Sequence, residues 1–322
     1  MRSLRWLGLP ALYIGAQLAG LALALPFRSE GLATTSNPQS PTAPLLILVV
    51  IVVAPLFILL FARRRGGMVA LRHTILVGIA AALYLTLFAT FSLVPPGSIL
   101  LRPYGAEVAA VPALTFAAMA SAGLYLTLLM EPQWYVVDLA GFAAGGALIA
   151  ILGISFGILP ALLLLSVLMV YDAIAVYRTK HMVSLADAVT EMKLPILMIM
   201  PDSADFDYPH AAPLREQRQR PVEDRSALFM GLGDVVIPGT LVVSAFVWLP
   251  VVPHLGTVGG NLAVALATLV GSLVGYAVLM RRVAGGNPQA GLPFLNGGAI
   301  AGYLLAYLLV YRSYAFGLTG GL

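Results

Sequence analysis

Polar residues are scarce along this chain and fall in bunches, and the apolar runs between them set out its architecture. A membrane helix needs about 20 apolar residues to cross the hydrocarbon core. Nine runs meet that length: residues 4–26, 44–62, 73–95, 105–130, 134–153, 155–177, 227–250, 258–280 and 292–316. Only Gly153-Ile154 and neighbours part the fifth from the sixth, so two helices joined by a very short turn are expected there. The pattern predicts an all-α polytopic membrane protein with nine transmembrane helices. It divides into residues 1–177 with helices one to six, a cytoplasmic hydrophilic loop at 178–226, and residues 227–322 with helices seven to nine. The first run exceeds a signal-peptide core, and no small-residue cleavage site follows it, so it reads as the first span.

Between the first two runs, Ser29 to Pro41 is rich in Gly, Ser, Thr and Pro and reads as a solvent loop. In the long loop, Ser203 to Arg225 mixes both signs of charge with Pro and Gln and reads as disordered. Its first half holds Leu194 to Pro201, apolar but too short to span. That stretch reads as a segment lying in the membrane interface, or as a strand able to pair with an extended substrate; spacing alone favours the former.

Composition changes the picture by exclusion. With 60% hydrophobic and 10% charged residues among 322, the chain is no soluble globular domain, where about a quarter of residues are charged. Cysteine is absent, which removes disulfides, thiolate metal sites and cysteine nucleophiles. The net charge of +4 does not point to nucleic acid, because the basic residues fall beside the apolar runs. They report orientation instead. With the N-terminus cytoplasmic, Arg28, Arg102 and Arg312 lie outside, and the other fifteen of the 18 Lys and Arg lie inside, clustered at 2–5, 63–72, 178–225 and 281–282. The positive-inside rule selects this arrangement and puts the C-terminus outside.

Against this background, a charged side chain within a span is a functional-site candidate, since it costs about 2.5–3.5 kcal/mol at the membrane centre on insertion scales. Asp172, in Tyr171-Asp172, closes the sixth run; Asp234, in Gly231-Leu232-Gly233-Asp234, opens the seventh from the same side. The two carboxylates therefore sit at similar depth. A pair of carboxylates about 3 Å apart cannot both ionise and shares a proton, so one can act as base on water while the other hydrogen-bonds a scissile carbonyl. Gly231, three residues before Asp234, allows close approach on the same helical face. Pro238 denies the carbonyl of Asp234 its helical donor and loosens the backbone there. Tyr171 packs or hydrogen-bonds near the pair, or is a plain interfacial tyrosine. A third acid, Asp138 in Trp134-Tyr135-Val136-Val137-Asp138, reads as a snorkelled or helix-start carboxylate by the outer surface, with a proton path as the alternative. The Gly153-Ile154-Ser155-Phe156-Gly157 stretch matches a nucleophile elbow but lacks a strand and a nearby histidine, and reads as a helix turn. No His-Glu-x-x-His pair is present for a zinc site, so no metal and no cofactor is expected. Gly271/Gly275 and Gly298/Gly302 match small-residue helix-packing faces.

The Tyr171-Asp172 and Gly231-Leu232-Gly233-Asp234 pair, in consecutive spans around a long cytoplasmic loop, resembles the presenilin and signal-peptide-peptidase family, the archaeal presenilin homologues most of all. That resemblance implies an intramembrane aspartyl protease with Asp172 and Asp234 as its catalytic aspartates. It implies a substrate-contacting segment at Gln289-Ala290-Gly291-Leu292-Pro293, where the family carries Pro-Ala-Leu before the ninth span. Here Ala290 and Gly291 stand for that proline and alanine, while Leu292 fits and Pro293 follows. By the same resemblance Tyr171, Gly231, Leu232 and Gly233 border the substrate. The implied partners are transmembrane helical substrates, crossing with their N-terminus outside, and the lipid bilayer, with no obligate subunit; a homo-oligomer stays open. An ion- or proton-coupled transporter with midplane aspartates is the competing reading, but no second copy of the Gly-Leu-Gly-Asp segment marks a repeated half. A prepilin-peptidase-like enzyme is weakened by the lack of cysteines.

Overall fold

In a computed structural model, residues 2–42, 44–50, 53, 66–92, 106–179, 194–211, 216, 225–255, 258–283 and 289–318 are described. Among them, eight long helices follow the apolar runs: α1 (Arg2–Ser29), α2 (Gly67–Ser92), α3 (Ala106–Met130), α4 (Trp134–Ser155), α5 (Ile158–Ile174), α6 (Leu232–Trp248), α7 (Gly260–Val283) and α8 (Leu292–Tyr311). Residues 44–50 are also helical; the remainder of the second run lies almost wholly outside the described residues, as do 284–288. Six helices are long and apolar enough to cross a membrane: α1, α2, α4, α5 with its continuation to Arg178, α7 and α8. Leu114–Met130 and Leu232–Trp248 are shorter apolar helical stretches.

The expected short turn between the fifth and sixth spans lies two to three residues later than Gly153-Ile154. Helix α4 runs through Ser155, and Phe156 and Gly157 are extended before α5 starts. The break is braced from three sides. The Gly157 N–H donates to the Pro38 carbonyl at 2.7 Å, Ser244 Oγ to the Phe156 carbonyl at 2.9 Å, and Trp248 Nε1 to the Gly153 carbonyl at 3.0 Å. Ser155 accepts both the N–H and the hydroxyl of Thr34, so it serves the 29–41 loop as a tie.

The seventh run does not start as a helix. Ala227–Gly231 is a strand, β2, paired antiparallel with β1 (Leu197–Pro201) in the register Leu197↔Gly231 to Pro201↔Ala227. The apolar stretch Leu194–Pro201 is therefore a strand, paired with the chain's own β2. A second small pair, β3 (Pro253–Leu255) with β4 (Val258–Gly259), links α6 to α7. Part of the stretch read as disordered is also built. Residues 203–211 form turns that seat the fully buried Tyr208 among Phe206 and Phe229, while 212–215 and 217–224 lie outside the described residues. On the exposed side of this segment Asp207 meets His210 at 2.7 Å, and that hydrogen bond holds the Asp207 carboxyl below its ordinary range.

Asp138 corrects the sequence reading. It is buried at 7% exposure, one turn into α4, and its Oδ1 accepts the Ile199 N–H of β1 at 2.7 Å. It is neither snorkelled nor at the far end. Antiparallel neighbours α4 and α5 bring the start of one beside the end of the other, so Asp138 shares its side with β1, β2 and the close of α5.

Two clusters form the core. One gathers α1, α4 and the hairpin around Tyr13, Val137, Ile149 and Met198; the other gathers α5 to α8 around Leu165, Leu241, Val264 and Tyr303. Helices α7 and α8 approach most closely where the small-residue pattern predicts. A Cβ on Gly275 would overlap the Phe294 carbonyl, and one on Gly271 the Gly298 carbonyl. Both obstacles are backbone and cannot swing aside. Gly275→Val is expected to destabilise the protein by about 1–3 kcal/mol or more through overpacking, whereas Val at Gly78, which has open space around it, is expected to cost far less. Thermal melts of the two purified variants check this contrast.

Candidate active site

Asp172 and Asp234 reach the same short segment from different helices. Asp172 lies two residues before the end of α5, buried at 7% exposure, and its Oδ2 accepts the Leu292 N–H at 3.0 Å. Leu292 is the first residue of α8, where backbone N–H groups have no intrahelical acceptor. Gly291, the residue before it, offers no side chain to cap the helix. The α5 carboxylate therefore caps α8 from a neighbouring helix, with its charge at the positive end of the α8 dipole. One turn on, Asn296 Nδ2 donates to the Leu165 carbonyl at 3.0 Å and pins the same two helices again.

Asp234 lies in the first turn of α6 and is half-buried. It faces Gly291: a Cβ there would lie 3.1 Å from both of its oxygens. Leu292 bonded to one aspartate and Gly291 set against the other bring both carboxylates to one peptide unit, near enough to interact electrostatically. Gly231 ends β2 and is not on the helix, as the sequence reading had it. Its Cα nonetheless stays beside Asp234, with a Cβ position 3.4 Å from Oδ2. Leu232 is buried and its N–H donates to the Ile196 carbonyl at 2.9 Å, so strand pairing leads directly into α6; Gly233 is exposed. Helix α6 continues through Pro238.

Tyr171 is half-buried, packed at the edge of the α5–α8 cluster and within electrostatic reach of Asp172. Of the segment before α8, Ala290 is fully buried and Pro293 occupies the first turn. Several contributors were not singled out from sequence. Beyond Asp172, the chain continues as a π turn, Ala175–Thr179, which carries Tyr177. The Tyr177 hydroxyl donates to Gln289 Oε1 at 3.0 Å and receives the Ala290 N–H at 3.4 Å. Tyr13 of α1 lies against Ser272 and Tyr276 of α7 and beside Gln17 of its own helix, within electrostatic reach of Asp234. Both polar atoms of Gln17 and the Tyr13 hydroxyl are buried. Their signal in the sequence was a polar group inside an apolar run, the same signal that marked the aspartates. Among the described residues, no three His, Cys, Asp or Glu side chains gather as a metal-binding group would.

Residues 10–311 match the family described as signal-peptide peptidase, presenilin aspartyl protease. The chain belongs to that family. Among solved structures, one titled as a presenilin family intramembrane aspartate protease, in a C222 crystal form, is 32% identical, with a TM-score of 0.61 over 94% of this chain and 98% of that one. A structure under the same description in a P2 form is 33% identical, with a TM-score of 0.59 over 94% and 97% of the two chains. No curated protein gives a significant match. Membership of this family, with several apolar membrane-crossing helices, makes the chain an integral membrane protein with a presenilin-like fold.

The Tyr177 contacts generate a test that needs no substrate. A neutral hydrogen bond contributes about 0.5–1.5 kcal/mol net, so Tyr177→Phe is expected to speed amide exchange across Ala290–Leu292 by about twofold to tenfold. Exchange in the body of α8 is expected to stay as in the wild type; hydrogen-exchange mass spectrometry of the two proteins reads the difference.

Proposed function

We propose that this protein is an intramembrane aspartic endopeptidase of the GxGD type, with Asp172 and Asp234 as its catalytic pair, hydrolysing peptide bonds within transmembrane segments of membrane proteins. The observation that carries this reading is the convergence of both carboxylates on the Gly291–Leu292 peptide unit. Family membership supports the chemistry, and the orientation of Lys and Arg supports its setting: nine spans, an N-terminus in the cytoplasm and a C-terminus outside. Residues 1–177 and 227–322 then each contribute one aspartate, joined through the cytoplasmic 178–226 loop.

In the reaction the pair holds one proton between its two carboxylates, as closely spaced acids do. The ionised member removes a proton from water as that water attacks the scissile carbonyl. The protonated member donates to the carbonyl oxygen, and its proton passes to the leaving nitrogen as the C–N bond breaks. The pair acts as a unit, and neither role belongs permanently to either residue. A substrate segment must unwind first, because a helix hides its peptide bonds in its own hydrogen bonds. Tyr171, Gly231, Leu232 and Gly233 on one side, and Ala290, Gly291, Leu292 and Pro293 on the other, border the space where an unwound segment meets the pair. The glycines keep side chains out of it. No metal or cofactor enters this scheme.

The deciding experiment is cleavage of a single-span reporter by purified, detergent-solubilised protein. Asp172→Ala and Asp234→Ala are each expected to abolish cleavage. Asp234→Ala is expected to keep the wild-type melting profile, whereas Asp172→Ala also loses the α8 cap and melts lower. Asp172→Asn, which keeps an acceptor for the Leu292 N–H, is therefore the folded control there. Cleavage surviving either substitution overturns the dyad and brings forward a transporter with membrane-embedded acids. Gly291→Val is expected to lower the rate at least about tenfold, because displacing a reacting group by even 1 Å costs up to about a hundredfold.

A further inference from the structure

Asp138 and Asp172 are the two acids fully buried among the described residues, and the proposed reaction does not use Asp138. Its surroundings are specific. In the β1–β2 register Ile199 stands opposite Phe229, yet its N–H is given to Asp138 Oδ1 at 2.7 Å. N–H groups alternate between the two edges of a strand. The Ile199 amide therefore belongs to the outer edge of β1, the one not covered by β2, and Asp138 covers it. Three residues along α4, Gly141 lies against the start of the same strand: a Cβ there would be in ordinary contact, 3.8 Å from the carbonyl oxygens of Pro195 and Leu197. Four residues further, Gly145 is set against Leu232, with a Cβ position 3.0 Å from its Cδ1. One face of α4 thus touches β1 and then the first residue of α6.

From there the path to Asp234 is short and made of backbone. β1 is paired to β2, the Ile196 carbonyl receives the Leu232 N–H, and Asp234 lies two residues beyond. A two-stranded pair alone is marginal in water and draws its fixity from what it packs on. An unpaired strand edge in a dry environment leaves its amides without acceptors. Asp138 answers both needs at one point, on the most thoroughly buried of the six spans.

We propose that Asp138 is a positioning residue for the aspartate pair: by accepting the Ile199 N–H it fixes the outer edge of β1 on α4, and through the hairpin it sets where Asp234 enters the site. This rests on the reading of Asp234 as catalytic. What the position needs is an acceptor, and an amide carbonyl can supply one. Asp138→Asn is therefore expected to keep kcat within about threefold of wild type, and Asp138→Leu, similar in size but without an acceptor, to lose about tenfold to a hundredfold in kcat. KM for the single-span reporter is expected to stay within about twofold in both, because the affected interaction positions a reacting group and does not bind substrate.

The second readout is independent of cleavage. Hydrogen exchange over residues 196–201 and 227–233 is expected to rise in Asp138→Leu and to stay protected in Asp138→Asn. Wild-type kcat and protection in Asp138→Leu overturn the proposal, as does an Asp138→Asn variant impaired as badly as Asp138→Leu. If Asp138→Leu does not fold, Ile199→Pro removes the donor from the other side, at a strand position whose N–H takes no part in the β1–β2 ladder; the same loss of kcat is expected there, and a wild-type kcat overturns the proposal. If even the wild type cuts no reporter, the catalytic reading fails separately, and the exchange pattern alone decides the anchoring.

Discussion

The arrangement of the site depends on one amide, that of Leu292, whose hydrogen bond to Asp172 joins the close of α5 to the start of α8. Inside a membrane every backbone donor must find an acceptor within the protein, and the first N–H groups of a helix have none of their own. A carboxylate is the strongest acceptor available for such a group. By using Asp172 for this, the fold places one acid beside the segment that the second acid also faces. Removing the bond would leave both an uncapped helix and an unanchored carboxylate, so structure and chemistry are coupled at the same atoms.

Asp234 is held differently. Among the described residues it has no comparable hydrogen-bond donor of its own and is positioned by what precedes it: a strand whose pairing ends at Gly231, a helix that starts at Leu232, and two glycines, Gly231 and Gly291, beside the carboxylate. One acid is fixed by a direct bond, the other by backbone geometry.

The helices and the two aspartates were legible in the sequence because the signals there are local. An apolar run of sufficient length forms a membrane helix whatever surrounds it, and an acid within such a run stands out against a charged fraction of 10%. The hairpin was only half legible. Leu197–Pro201 and Ala227–Gly231 pair across about thirty residues, and nothing local tells an apolar five-residue stretch that its partner exists. The seventh run was accordingly read as helix from its first residue. Asp138 was misplaced for a related reason: its burial follows from the partner strand, while the sequence near it shows only an acid close to a helix start. Tracing the alternation of span directions would have put it on the correct side; its bond to Ile199 would still have needed the fold.

The segment before α8 shows how a missing motif residue can be replaced by contacts elsewhere. A proline at position 290 would restrict the backbone and carry no N–H. Ala290 lacks that restriction, which by itself makes Gln289-Ala290-Gly291 a looser entry into the helix. Ala290 does have an N–H, however, and it donates to the Tyr177 hydroxyl, which in turn donates to Gln289 Oε1. Tyr177 extends from the turn that continues α5 past Asp172. The helix that presents the acid therefore also steadies the segment the acid caps, at two points on either side of Gly291. Rigidity that a ring would have supplied covalently is supplied by hydrogen bonds from α5, which leaves Gly291 free of a side chain where it meets Asp234.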